Sequence, residues 1–390
     1  MARMDYQTAG ESHGPTLLAL VSGMPAGVPV DVAFIDAELR RRQGGYGRGG
    51  RQRIEADAVT VLSGVRLGQT TGAPVALQVP NKDSRLDDLA RTPAVHTPRP
   101  GHADLAGSMK YLTTDCRETL ERASARETAA RVAAGALVRC LLRELGIEVF
   151  AFTRSVHQAR TDVSITEANW QQMRAARDAS DTYCPDAAAS KKQEEAIHQA
   201  KVDKTTAGGT IEAHVFGLPP GIGSTMHWFE KLDARLAYAV MGIQAIKGVE
   251  IGLGFESAGR FGHEVHDPIT FDRARLETPG LGFVRPSNNA GGTEGGMSNG
   301  APVVVRAAMK PIATLLRGMP SVDLNTKQDA PSAYERSDVS AVAAAGVVLE
   351  NVVAFEVGRC LREKFGGDSL HEVRGQMEWY LAEARKLPRG

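Results

Sequence analysis

The chain has 390 residues and a mass of 41.6 kDa, with 46 Lys and Arg against 46 Asp and Glu. Apolar residues make up 42% and charged residues 24%, the composition of a globular chain and not of a disordered one. The even charge balance argues against a protein built to coat nucleic acid or an anionic membrane, and the length fits two to three ordinary domains or one large one.

Glycine, at 41 residues, exceeds its usual share of about 7%, so part of the excess is expected to be backbone shaped for a ligand. The four cysteines, at 116, 140, 184 and 360, have no C-x-x-C spacing, which disfavours structural zinc and suggests reduced thiols in a cytoplasmic protein. No metal site is expected. MARMDYQTAGESHG lacks an apolar core, so no signal peptide is expected. The longest apolar helical stretch, Ala341 to Leu349, is well short of the ~18 residues of a membrane span.

In chain order, residues 15–35 suit short strands and turns, and 36–43 a short helix capped by Asp36. Ile54 to Val65 partly alternates and predicts strand-turn-strand. Residues 80–101, with four prolines, predict a long loop. Ser124 followed by Glu127 matches a capping box before an Ala-rich helix that stops at Gly146. The polar stretch 155–209 predicts a strand edge with a peripheral helix. A strand at 210–218, a helix at Leu232 to Ala245, and strands at Val249 to Phe255 and Ala301 to Met309 follow. Asp338 to Phe365 is the longest helical pattern, and a last helix covers about 368–386. Strands and helices mix without regular βαβ alternation, which predicts an α+β fold.

Gly10, Ser12 and Gly14 match G-x-S-x-G, the pattern of a serine-hydrolase elbow, but only nine residues precede Gly10, too few for the upstream strands of that fold. A satisfied His in a tight turn, or a functional His13 approached by backbone, are the other readings. Arg40 to Arg53 holds six arginines and no acid. Gly45, Gly47 and Gly50 fit G-x-G-x-x-G there, without the strand and helix a dinucleotide site needs. A solvated charge run and an RNA-docking segment stay open beside a phosphate or carboxylate clamp, which is preferred because Arg offers paired donors to both groups.

In RPGHAD (99–104), His102 sits among prolines and is either functional or tied to Asp104 as scaffolding. Arg122 to Glu127 stands at a helix start, where orphan N–H groups suit phosphate. Asn288 to Gly300 has five glycines and predicts either a flexible loop or one whose amides wrap a ligand. Lys310 follows a strand. Asp338 stands before the longest helix, and an N-cap is its simplest role.

Taken together, these stretches resemble chorismate synthases: AGESHG (9–14), GYGRG (45–49), RPGHAD, ERASARETAARVAAGA (121–136), MGIQAIKGVEIG (241–252), NNAGGTEGGMSNG (288–300), AAMKPIAT (307–314) and RSDVSAVAAAGVVLE (336–350). They span most of the chain, with the weakest agreement at about 155–209 and after 367. The resemblance implies a β-α-β sandwich with helices packed between antiparallel sheets, one large catalytic domain over 1–390 with a more variable segment at about 155–209, and a homotetramer. It implies a lyase of the shikimate pathway that eliminates phosphate from 5-enolpyruvylshikimate 3-phosphate to give chorismate. Reduced FMN is the implied cofactor, with NADPH as the reductant in some members and an external flavin reductase in others.

By the same resemblance His13 meets the leaving phosphate as an acid, His102 protonates or balances the flavin, and Asp338 relays the proton. Arg42, Arg48, Arg99, Arg126 and Arg336 hold the substrate. Flavin contacts map onto Arg122, Ala123, Ser124, Gln244, Ala245, Gly295, Lys310, Pro311, Ile312, Ala313, Thr314 and Arg336. One departure is Ala313, where the family often has Ser.

Overall fold

The structure, a computed structural model, describes residues 4–49, 56–335 and 338–387. A first antiparallel sheet orders Asp5–Ala9, Thr16–Ser22, Val75–Pro80 and Thr60–Ser63. Leu17 pairs with Val79, Ala19 with Leu77 and Val21 with Val75, and the period of two places all six on one buried face. Leu18 and Leu20 project from the other face and are exposed.

A second antiparallel sheet orders Ile246–Ile251, Val303–Met309, Gly209–Phe216, Glu148–Val156 and Ala159–Arg160. Its inner face carries Ala151, Ile211, Ala213, Val215, Val303 and Val305, all buried. Helix Thr128–Glu144 packs against the first sheet, helix Val342–Lys364 against the second, and the two helices against each other. The layers therefore form the expected α+β sandwich with helices between antiparallel sheets.

Both long helices lack a polar face. Residues 341–358 are buried without a break, as follows for a helix enclosed on all sides. The two helices approach closely at Gly135, where an added Cβ would lie 2.2 Å from the Asn351 carbonyl oxygen. Gly135→Ala gains about 0.5–1 kcal/mol of helix propensity. It must also force backbone apart in a filled core, at about 1–3 kcal/mol or more, so the clash dominates. Thermal unfolding is expected to show a lower melting temperature for Gly135→Ala, and an unchanged or higher one would mean the helices separate freely.

Several boundaries differ from the sequence reading, each for a local reason. The first helix spans Val32–Gln43, because Asp31 accepts from the Phe34 amide at 2.9 Å, while Asp36 accepts from the Val59 amide. Ser124 caps only the short turn Ala125–Glu127. The Glu127 carboxylate accepts from Thr8, Arg131 and Gln244, so no capping box forms. The Leu232–Met241 helix stops before Ala245, whose φ of +66° breaks the helical path. The longest helix begins at Val342, with Ser340 Oγ accepting from the Val342 amide, so Asp338 is not its cap.

The stretch 155–209 contains two helices, Trp170–Asp178 and Ala187–Val202. Trp170 stacks on Phe216 at 5.3 Å and helps cover Phe150 and Phe152 on the outer face of the second sheet. Residues 81–103 hold no helix or strand, as expected. Of the predicted strand-turn-strand, Ile54 and Glu55 lie outside the described residues, and Thr60–Ser63 and Val65–Arg66 form its strands. The four cysteines are buried and free. Among the described residues no helix is long and apolar enough to cross a membrane, and no cluster of His, Cys, Asp and Glu is set to hold a metal.

Candidate active site

AGESHG forms the turn of the hairpin joining the first two strands. Gly10 has φ +105°, and a Cβ there would lie 2.3 Å from the Thr16 carbonyl oxygen, so only glycine fits. An antiparallel hairpin is not the strand-to-helix elbow of a serine hydrolase, and that reading fails. The turn is gripped by Glu121. The Ser12 amide donates to the Glu121 carbonyl at 3.1 Å, the His13 amide to its Oε2 at 2.9 Å, and His13 Nδ1 meets its Oε1 at 2.9 Å. Burial alone would raise the Glu121 carboxyl, but hydrogen bonds from His13 and the charges of His13 and Arg117 hold it below the ordinary glutamate value.

His102 Nδ1 donates to Asp104 Oδ1, at the start of helix Asp104–Tyr111. Arg99 binds the same carboxylate through Nε at 2.8 Å and Nη2 at 3.0 Å, and its Nη1 donates to Thr314 Oγ1 at 3.1 Å. Burial would raise Asp104, yet these partners hold it well below the usual carboxylate range. The scaffolding contact and the functional reading of His102 therefore coexist: Nδ1 is anchored while the residue lines a cavity.

The arginine block is offset by carboxylates of the chain itself. Arg41 pairs with Glu38 and with the fully buried Glu350, at 3.0 and 2.6 Å. Arg42 and Arg126 share the buried Asp57, at 2.8 and 2.7 Å. Arg48 pairs with Asp338, which also accepts from the Gly49 amide at 2.6 Å. Arg40 is exposed, and Arg51 and Arg53 lie outside the described residues. A solvated run or an RNA-docking strip needs these guanidiniums at the surface, and Arg41, Arg42 and Arg48 are committed inward. Burial foremost, with the charge of Arg126, pushes the Arg42 guanidinium down to about 10 against the pull of Asp57. The buried Nε atoms of Arg42 and Arg48 have no hydrogen-bond partner among the described residues. Such donors suit an anionic ligand.

These groups converge on one cavity of about 440 Å³, within the usual range of ligand sites. His13, His102, Asp338, Arg42, Arg48, Arg99 and Arg126 all line it. So do Ala123, Ser124, Gln244, Ala245 and the run Lys310 to Thr314. Leu120, Ala123, Ile312 and Ala313 give it apolar wall beside the cations. Lys310 Nζ donates to the Gly101 carbonyl, tying the second sheet to the His102 loop. Burial, then the nearby Lys247, lowers the Lys310 ammonium below its ordinary value.

Gln244 Nε2 donates to Glu127 Oε2 at 2.9 Å, which leaves Oε1 as an acceptor, and that buried atom has no partner among the described residues. An unsatisfied acceptor beside apolar wall fits a planar heterocycle bearing a ring N–H, the chemistry of a flavin. Two residues expected at the flavin, Arg122 and Gly295, do not line this cavity in the single chain. Arg122 is exposed and donates to the Gly10 and Thr8 carbonyls at 3.0 and 2.9 Å, so its charge closes the hairpin turn instead. Gly295 sits in the tight turn between Thr293–Glu294 and Met297–Ser298, away from the cavity of this chain. Arg336 lies outside the described residues.

Glu121, Asp57, Asp83 and Arg85 also belong to the site or its frame and carry no motif of their own in the sequence. Glu121 is 108 residues from His13, and no local spacing links them. Asp83 and Arg85 lie in the long loop, where polarity was the sole signal.

The chorismate synthase family model matches residues 4–361. The chain is 50% identical to a chorismate synthase of Desulforudis audaxviator over 97% of its length and 98% of that protein's. It is 51% identical to one of Trichlorobacter lovleyi over 98% of its own length and 100% of the relative. A crystal structure of chorismate synthase superposes with a TM-score of 0.80 at 37% identity, covering 99% of both chains. The chain belongs to the chorismate synthase family, reduced-FMN-dependent lyases that convert 5-enolpyruvylshikimate 3-phosphate to chorismate and phosphate.

Proposed function

We propose that the 440 Å³ cavity is where this chain carries out that elimination, and that its residues divide the work as follows. Arg42, Arg48 and Arg126, with Arg99 and Arg336, hold the one phosphate and two carboxylates of the substrate. The observation that carries this reading is the convergence of Arg42, Arg48, Arg99 and Arg126 with His13 on one cavity. Asp57 holds Arg42 and Arg126 side by side, so their entropy of ordering is spent before the substrate arrives. His13, oriented through Nδ1 by Glu121, gives a proton from Nε2 to the departing phosphate. His102, oriented through Nδ1 by Asp104, holds a proton toward the cofactor side.

Reduced FMN, when bound, would supply the transient electron and the acceptor for the ring hydrogen, chemistry that no lone side chain of this chain offers easily. Gln244, Ala245, Ala123, Ser124 and the run Lys310 to Thr314 would hold it, with Gln244 Oε1 as acceptor. Asp338 carries the resulting proton away on its carboxylate. Two sources of reduced flavin stay open for this chain: its own reduction of the flavin with NADPH, or an external flavin reductase.

The working form is a homotetramer. Leu18, Leu20 and Leu62 on the first sheet, and Trp228 and Phe229 elsewhere, are large apolar side chains left exposed in the single chain, which supports assembly. A flavin contact by Gly295 is then one made across subunits.

Arg48→Ala tests the assignment. It is expected to weaken substrate binding about 10- to 100-fold in an equilibrium titration, the usual worth of a charged contact in a partly dry site, while FMN still binds. Unchanged substrate affinity would leave Arg48 as a holder of Asp338 and nothing more.

A further inference from the structure

Arg85 lies in the long loop after the first sheet, outside every stretch that carries the family resemblance, and it lines the cavity. Its Nη2 lies 3.3 Å from His13 Nε2. A guanidinium can only donate, so this contact suits an unprotonated Nε2, with Nδ1 against the Glu121 carboxylate. Charged groups near this ring among the described residues include Asp83, with Oδ2 at 3.9 Å from Nε2, and Arg117, which reaches Glu121 at 3.3 Å.

The backbone fixes the pairing. The amides of Arg85 and Leu86 both donate to the His13 carbonyl, at 2.9 and 3.1 Å. Asn81 Nδ2 donates to the carbonyls of Glu11 and Gly14 at 3.1 and 2.8 Å. Loop and hairpin turn thus form one unit, which holds the Arg85 backbone beside His13. The side chain is still not fully satisfied. Nη1 donates to the Arg91 carbonyl at 3.0 Å, and Nε lies 3.2 Å from Asp83 Oδ1 yet makes no hydrogen bond among the described residues.

We infer that Arg85 is a further substrate-binding arginine, and that it grips the same phosphate that His13 protonates. An oxygen receiving a proton from Nε2 must sit about 3 Å from it, which is within reach of the Arg85 N–H groups. A phosphate has oxygens enough for both partners at once. Arg85 lies against Nε2, and a phosphate seated there would take the guanidinium as a partner while a protonated Nε2 is aimed at the leaving group. The inference rests on the cavity being the elimination site.

The test is an equilibrium titration of the parent, Arg85→Ala and Arg85→Lys with two ligands, 5-enolpyruvylshikimate 3-phosphate and its dephosphorylated form. Arg85→Ala should weaken the phosphorylated ligand about 10- to 100-fold and leave the dephosphorylated one within about threefold. Arg85→Lys should lose less, since it keeps the charge without the fork. Equal losses on both ligands would overturn the assignment and make Arg85 a carboxylate or loop contact. No loss on either would also overturn it. If the parent itself fails to bind the phosphorylated ligand, the reading of the cavity falls first, and the role of Arg85 with it.

Discussion

His13→Ala and His102→Ala are each expected to slow turnover by about 10²–10⁴-fold, the usual size of a lost proton donor. Neither change should unfold the chain. Without the His13 ring, Glu121 still accepts from Arg117 at 3.3 Å and from the backbone amide of residue 13. Without the His102 ring, Asp104 keeps its bonds from the Arg99 backbone amide, Nε and Nη2. Each buried carboxylate thus retains a cationic partner, and the large penalty of an unpaired buried charge is avoided. The two variants should still differ in kind. His13→Ala should recover part of its rate on a substrate whose leaving group needs no proton, and His102→Ala should not. Parent-like rates in steady-state assays of both variants would remove the two histidines from the mechanism.

Asp338→Asn is expected to lower turnover by orders of magnitude while substrate binds as tightly or more tightly. The sequence alone leaves a helix cap as a rival role, and Asn caps about as well as Asp. The fold removes that rival, because the helix starts at Val342 with Ala341 at its cap position, and the nearby side chain that accepts from the Val342 amide is Ser340. What Asp338 does hold is Arg48, together with the Gly49 amide. An amide in its place cannot take up and pass on a proton, so the rate falls. It also releases Arg48 from a competing carboxylate, so affinity for an anionic substrate holds or rises. A fall in affinity with kcat retained would reverse the assignment and make Asp338 a structural clasp.

The parts of the molecule legible in sequence were those with local signatures. The helix stop at Gly146, the 81–103 loop and the alternation of 209–216 follow from residue order alone. The glycine-flanked His13 and the proline-bounded His102 stand out because the chain is contorted around them. Glu121, Asp57 and Arg85 carry no such mark. Each acquires its role when hairpin, long loop and helix start meet, and composition does not encode that meeting. The arginine block misleads in one respect for the same reason. It reads as a charge excess seeking an outside anion, whereas Glu38, Asp57, Asp338 and Glu350 supply carboxylates from as far as 309 residues away. What remains for a ligand is a set of leftover donors, visible only once the internal partners have been subtracted.

The proposed role of this cavity is to turn 5-enolpyruvylshikimate 3-phosphate into chorismate with reduced flavin. Its most direct test is an anaerobic assay of the purified protein with that substrate and catalytic reduced FMN, following chorismate by absorbance and phosphate by release. Chorismate and phosphate should appear in equal amounts, with no net oxidation of the flavin. Phosphate without chorismate, or no turnover while reduced flavin is present, would contradict it.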